Sequence, residues 1–106
     1  MAYSESDKVF HYFLQEIKYR LGHHLKELIL FGSRARGDDI PGSDYDCLAI
    51  VDEISPEINN IIDELAGELL FRYNAVFSVI PISEPLYLQA TLDPFLINIR
   101  EEGITL

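Results

Sequence analysis

The chain has one cysteine, no tryptophan and few basic residues, and each scarcity removes a class of explanation. Cys47 has no second thiol to pair with, so an internal disulfide framework is excluded, and its place in an apolar run marks it as a small core residue. Spacings of the His-x-x-x-His or Cys-x-x-Cys kind are missing, which argues against a zinc site. His11 stands alone in the first predicted helix, and the adjacent pair His23-His24 is expected to diverge, since neighbours at i and i+1 on a helix or strand do not face one another. Eight Lys and Arg against 18 Asp and Glu give a net charge of −10, which works against binding a phosphate backbone; free DNA or RNA is not an expected partner. No lysine follows Lys26, so the Gly-x-x-x-x-Gly-Lys-Ser/Thr loop is excluded. No apolar run approaches the roughly 18 residues that span a bilayer. The opening Met1-Ala-Tyr-Ser-Glu-Ser-Asp7 lacks the basic-then-apolar order of a secretory signal. No membrane association and a cytoplasmic location are the expectation.

What the chain does have is ordered patterning over 106 residues, enough for one domain spanning 1–106 with a single core. Apolar positions Phe10, Phe13, Leu14, Ile17 and Leu21 predict an amphipathic helix over 4–21, stopped by Gly22. A strand is predicted over 25–31, a short helix or turn over 33–36, a loop through Asp38, Asp39, Pro41 and Gly42, and a second strand over 44–51. Ser55-Pro56-Glu57 signals a helix start, followed by an apolar face of Ile58, Ile61, Ile62, Leu65, Leu69 and Tyr73. A third strand over 75–82, a helical turn over 84–89 and a last helix from Asp93-Pro94 to Gly103, with Phe95, Leu96 and Ile99 inward, complete the series. This α-β-(short α)-β-α-β-α order predicts an α/β fold, a small mixed sheet of about three to four strands packed with helices. The six Phe and six Tyr fall mostly at periodic positions and read as core rather than as a base-stacking surface. Homodimerisation through a helix surface is possible for so small a core, but no apolar stripe stands out as surplus.

The chemistry concentrates between Leu28 and Val51. The first strand ends abruptly at Gly32-Ser33, where a helix start would aim free backbone N–H groups at an anion such as phosphate. Asp44 and Asp46 lie at i and i+2 of the second strand, so they share a face, about 6–7 Å apart by the strand rise. Such a pair suits a hard divalent cation, Mg²⁺ best, because it takes a few carboxylate oxygens and fills its other positions with water and substrate phosphates. Tyr45, Cys47, Ala49 and Val51 occupy the opposite face, while Leu48 and Ile50 carry the aspartate face inward, leaving only the strand's mouth polar. Either element alone is ordinary turn chemistry; together, at this spacing, they are specific.

Phe31-Gly-Ser-Arg-Ala-Arg-Gly37 followed by Gly42-Ser-Asp-Tyr-Asp46 resembles the signature of the polymerase-β-type nucleotidyltransferases, in particular their minimal nucleotidyltransferase members, which include MntA-like antitoxins. The family pattern is Gly-Ser, ten residues, then Asp-x-Asp, and Gly32, Ser33, Asp44 and Asp46 match it without a gap. The resemblance covers the whole chain, with Asp93 to Gly103 similar to the closing helix of these domains. It implies a nucleotidyltransferase core and transfer of a nucleoside monophosphate, AMP from Mg-ATP, to a hydroxyl acceptor. Asp44 and Asp46 are then the catalytic and metal-binding pair, and Gly32 and Ser33 hold the β- and γ-phosphates. Arg34 or Arg36 would neutralise leaving pyrophosphate, or else pair with Asp38 and Asp39 at the surface; Ser43 would touch a phosphate or form a turn. Small relatives are encoded beside HEPN-type proteins as toxin–antitoxin pairs in which a toxin tyrosine is modified, so the resemblance implies a HEPN-type partner.

One family feature is not met. The third core strand is expected to carry a further carboxylate facing the aspartates, and Asn74-Ala-Val-Phe-Ser-Val-Ile-Pro-Ile82 offers only Ser78 within it. A serine is neutral at pH 7 and replaces neither a base nor a strong Mg²⁺ ligand. Three explanations are open: Asp52, Glu53, Glu84 or a partner supplies the base; the acceptor needs little activation, since phosphoryl-type transfer relies on positioning and charge neutralisation; or the domain is a catalytically degenerate nucleotide- or partner-binding module.

Overall fold

A computed structural model describes residues 5–106, with side chains from Lys8 onward; Ser4, the expected opening of the first helix, and the other residues before Glu5 lie outside the described residues. Helix α1, Glu5–Leu21, buries Val9, Phe13, Ile17 and Leu21, one residue per turn of the same stripe. A 3-10 turn, Gly22–His24, then leads into strand β1, Leu25–Phe31. After it come the short helix α2, Ser33–Arg36, and strand β2, Tyr45–Val51. Helix α3, Pro56–Tyr73, strand β3, Phe77–Ser83, and helices α4, Glu84–Gln89, and α5, Pro94–Glu102, follow, and strand β4, Ile104–Thr105, closes the chain.

Three of the helices start by the same chemistry. Ser55 accepts a hydrogen bond from the Ile58 amide, Ser83 from that of Leu86, and Asp93 from those of Phe95 and Leu96, each beside a proline in the first turn whose missing N–H costs nothing there. The expected starts of α3 and α5 and the expected helical turn at α4 therefore coincide with the structure, and the short helix α2 lies over 33–36 as expected. Small departures occur elsewhere: β2 starts at Tyr45 rather than Asp44, β3 at Phe77 rather than Ala75, and Tyr73 and Phe95, expected inward, are 44% and 45% exposed. The 3-10 turn and β4 were not anticipated, because neither carries a periodic apolar signal.

The sheet has the order β3-β2-β1-β4 and is mixed. β1 pairs antiparallel with both β2 and β4, whereas β2 and β3 run parallel, α3 supplying the crossover that parallel neighbours need. Central β2 is buried on both faces. Tyr45, Cys47, Ala49 and Val51 face α1 and α3 in the larger core, with Phe13, Ile17, Leu65 and Leu69; Leu48 and Ile50 face Leu96 and Ile99 of α5 in the smaller one. The expected division of β2 into two faces is thus observed. Burial pushes the Cys47 thiol up to about 12, which leaves it an inert core group. Among the described residues no helix is long and apolar enough to cross a membrane.

Two contacts lock the layers. Glu68 of α3 accepts hydrogen bonds from Tyr12 at 2.5 Å and Arg20 at 2.8 Å, tying it to α1. At the other face Gly103 lies where α5 meets β1: an added Cβ would stand 2.5 Å from Ile29 Cγ2 and as close to the Ile99 carbonyl. Gly103→Ala is therefore expected to cost about 1–3 kcal/mol, the usual penalty of overpacking. Gly67→Ala on α3, where a Cβ meets nothing within 4 Å, is expected to add up to about 1 kcal/mol from helix propensity. Thermal or urea denaturation of the two variants should move the midpoint in opposite directions.

Candidate active site

The site is built where β1 ends. Phe31, its last residue, pairs with Asp46 on β2, and the next residue, Gly32, turns the chain into α2 with φ 76° and ψ −158°, a conformation that side chains strongly disfavour. Two amides, those of Ala35 and Arg36, return to the Gly32 carbonyl at 3.1 Å and close the turn. The amides of Ser33 and Arg34 open the helix and have no acceptor within it. Conformation is only half of the requirement at Gly32. A Cβ there would stand 2.6 Å from Asp46 Oδ2, so the backbone passes directly against the carboxylate.

Asp46 lies between Phe31 on one side and Ser78, its parallel partner on β3, on the other. Residues opposite one another in a ladder share a face, so Asp46 and Ser78 open onto the same side of the sheet. Asp44, one residue before β2, is exposed, and Asp46 is half-buried. Burial raises the Asp46 carboxyl above its ordinary value, and the Asp44 charge raises it further, with Arg36 acting in the opposite direction. The carboxylate pair is thus electrostatically unfavourable by itself and chemically matched to a hard cation: oxygen donors, excess negative charge and a close glycine backbone.

The two arginines of α2 have different surroundings. Arg34 is largely buried; its guanidinium donates to the Ser43 carbonyl from Nε at 3.1 Å and from Nη2 at 2.9 Å, reaches Asp39 at 3.3 Å, and lies 3.8 Å over the Tyr45 ring. Tyr45 in turn stacks on Phe77 with centroids 4.3 Å apart. Arg34 clips the 37–44 loop to the sheet. Ser43 belongs to the same loop, its hydroxyl accepting from the Ile40 amide at 2.9 Å. Arg36 is more open: it pairs with Asp38 at 3.2 Å and with Glu102 of α5 at 3.5 Å, and these partners hold its charge firmly in place.

A cavity of about 270 Å³ opens beside Gly32, lined by Phe31, Gly32, Arg36, Phe95, Asn98, Ile99 and Glu102. Asn98 and Glu102 were not singled out from the sequence, because their contribution depends on α5 folding back over β1; the acidic end of a helix gives no such signal. The sheet also sorts the carboxylates considered as substitutes for a third acid. Asp52 and Glu53 follow the C-terminal end of β2 and Glu84 follows that of β3, whereas Asp46 is at the N-terminal end of β2. Six residues of strand, about 20 Å, separate Asp46 from Asp52, so none of the three shares the mouth with the aspartate pair.

Residues 11–102 match the model of the nucleotidyltransferase domain family. The chain is 35% identical over 97 residues to a Methanocaldococcus jannaschii protein named "Putative protein adenylyltransferase MJ0604", covering 92% of this chain and 93% of that protein. Its fold is similar to that in a crystal structure of a toxin–antitoxin with AMP-PNP, with a TM-score of 0.63 at 17% identity over 89% of this chain and 69% of the other. A similar likeness extends to a structure of a tri-AMPylated Shewanella oneidensis HEPN toxin in complex with MNT antitoxin, with a TM-score of 0.60 at 14% identity over 93% and 69% of the respective chains. The glycine turn set against the aspartate edge, the mixed sheet that carries them and the match over residues 11–102 together make this chain a member of the nucleotidyltransferase domain family.

Proposed function

We propose that the chain transfers AMP from Mg-ATP to a hydroxyl group of a protein partner, as the antitoxin of a HEPN-type toxin–antitoxin pair. The observation that carries this reading is the Gly32 backbone seated against the Asp46 carboxylate, which brings a helix-opening turn beside a carboxylate edge within one strand pair. The 35% identical relative named for protein adenylylation supports the reaction class, and the structural likeness to toxin–antitoxin complexes supports the type of partner.

In this reading Asp44 and Asp46 hold Mg²⁺, the Gly32-Ser33 turn holds the β- and γ-phosphates, and Arg36 faces the departing pyrophosphate. Mg²⁺, when bound, neutralises the triphosphate and favours attack at the α-phosphorus. The acceptor oxygen forms a bond to the α-phosphorus, the bond from that phosphorus to the α–β bridging oxygen breaks, pyrophosphate leaves and the hydroxyl proton passes to solvent or a base. Arg34 and Ser43 serve the site by fixing the loop before Asp44: Arg34 donates to the Ser43 carbonyl and to Asp39, and the Ser43 hydroxyl accepts from the Ile40 amide. Asn98 and Glu102 border the cavity beside the turn, where they can meet the nucleotide's distal parts.

A second reading, a nucleotide- or partner-binding module without turnover, is favoured by Ser78, which occupies the ladder position opposite Asp46 where we infer the third carboxylate of active relatives to stand. The deciding experiment incubates labelled ATP and Mg²⁺ with the chain and the protein encoded beside it. Label is expected on the partner. Changes to groups that merely support metal ligands cost about 10–100-fold, so Asp44→Ala plus Asp46→Ala should reduce transfer at least about a hundredfold. Label that persists in that double variant would refute the site, and absence of label with every divalent metal would favour the module. Ser78→Asp is expected to raise transfer at least about tenfold if a missing base limits it, general bases being worth about a hundredfold or more.

The aspartate pair also predicts a pH-dependent stability. A carboxyl whose folded pKa is raised contributes stability below its unfolded value and loses it as pH rises through the folded value. Asp46→Asn is therefore expected to melt higher than the native chain at pH 7 without metal, and the difference should shrink as the native carboxyl protonates in acid. Mg-ATP should reverse the order at pH 7 by stabilising only the native chain. Equal stabilisation of both proteins by Mg-ATP would count against Asp46 as a ligand.

A further inference from the structure

At the far end of β2 from the aspartate pair, the 3-10 turn reverses the expectation for His23 and His24. Their rings lie side by side with centroids 4.1 Å apart, tilted 37° to one another, instead of diverging as they would on a regular helix or strand. Asp52, the residue after β2, donates its backbone N–H to the His24 carbonyl at 2.9 Å, and its carboxylate oxygens stand 2.9 and 3.1 Å from His24 Nδ1. The Glu53 amide donates to the same carboxylate at 2.8 Å, so its orientation is fixed. One donor atom from each of His23, His24 and Asp52 lies within 4.8 Å of the others.

We propose that His23, His24 and Asp52 form a binding site for a divalent transition-metal cation of the Zn²⁺ type, separate from the Mg-nucleotide edge. The chemistry of the donors selects the ion: two imidazoles with one carboxylate suit Zn²⁺ and its neighbours, whereas Mg²⁺ prefers oxygen alone. Their geometry is close to that of a coordination shell. Bonds of about 2.0–2.1 Å at angles between 90° and tetrahedral put neighbouring donors about 2.9–3.4 Å apart. His24 Nδ1 and the Asp52 carboxylate already have that separation, so a metal ion can replace the proton they share. His23 completes a three-donor set by a small ring movement. A structural ion pair accounts for His24 and Asp52 but gives no role to His23, whose ring is exposed at the same opening. His24 and Asp52 are themselves 38% and 34% exposed at the side chain, which leaves room for water or a fourth donor. The bound ion would clamp the end of α1 to the end of β2, on the opposite side of the sheet's length from Asp46.

Titration of the full chain with Zn²⁺ by calorimetry, and with Co²⁺ by visible absorption, tests the proposal. One equivalent is expected to bind, and His23→Ala, His24→Ala and Asp52→Asn should each weaken it about a hundredfold. His11→Ala and the Asp44→Ala plus Asp46→Ala variant should bind as the native chain does, which separates this site from the nucleotide edge. Circular dichroism confirms folding of each variant, and exposed His23 provides the substitution least able to disturb it. Failure of Zn²⁺ to bind the native chain at micromolar concentration, binding indifferent to the three substitutions, or binding lost in the Asp44/Asp46 variant would overturn the proposal.

Discussion

The approach of the Gly32 backbone to the Asp46 carboxylate is the constraint from which the rest of the site follows. It requires a residue without a Cβ, a left-handed turn at the end of β1 and an antiparallel register that sets Phe31 against Asp46. Shifting that register by one residue would turn Asp46 into the core and Cys47 out to the mouth. The packing of β2 prevents the slip: Cys47, Ala49 and Val51 fill one core while Leu48 and Ile50 fill the other, so the hydrophobic effect fixes where the carboxylate points.

Charge is organised on the same scale. A chain with a net charge of −10 places two of its few arginines on a four-residue helix at the one place where anionic phosphates are expected. Arg34 commits its hydrogen bonds to the loop and Asp39, while Arg36, paired with Asp38 and Glu102, stays more open beside the Gly32 turn. The aspartates supply the opposing charge that a cation would balance.

Much of this was legible in the sequence because the governing signals are local. Gly32-Ser33 after an apolar strand, Asp44 and Asp46 at alternate positions, and Ser55 and Asp93 before prolines announce their structures within a few residues. What could not be read depends on contacts between distant segments. Glu102 reaches Arg36 only because α5 folds across β1, and Phe95 is exposed because α5 is anchored by Leu96 and Ile99 instead. The histidine pair misled for a related reason: the rule that neighbours diverge holds for regular elements, and Gly22–His24 is an irregular one. Asp52, Glu53 and Glu84, candidates for a substitute base, lie at the other end of the strands from Asp46, a separation set by strand direction rather than by any local signal.

Pro81 has a consequence for how the domain meets other proteins. It sits near the middle of β3, the outer strand beside Asp46 and Ser78, in register with Ala49. Proline has no N–H to offer an incoming strand, so an added fifth strand could not run unbroken along that border. The sheet is protected there against growth by stacking copies edge to edge. A protein surface that meets this border does so through side chains and shape rather than through a continuous backbone ladder.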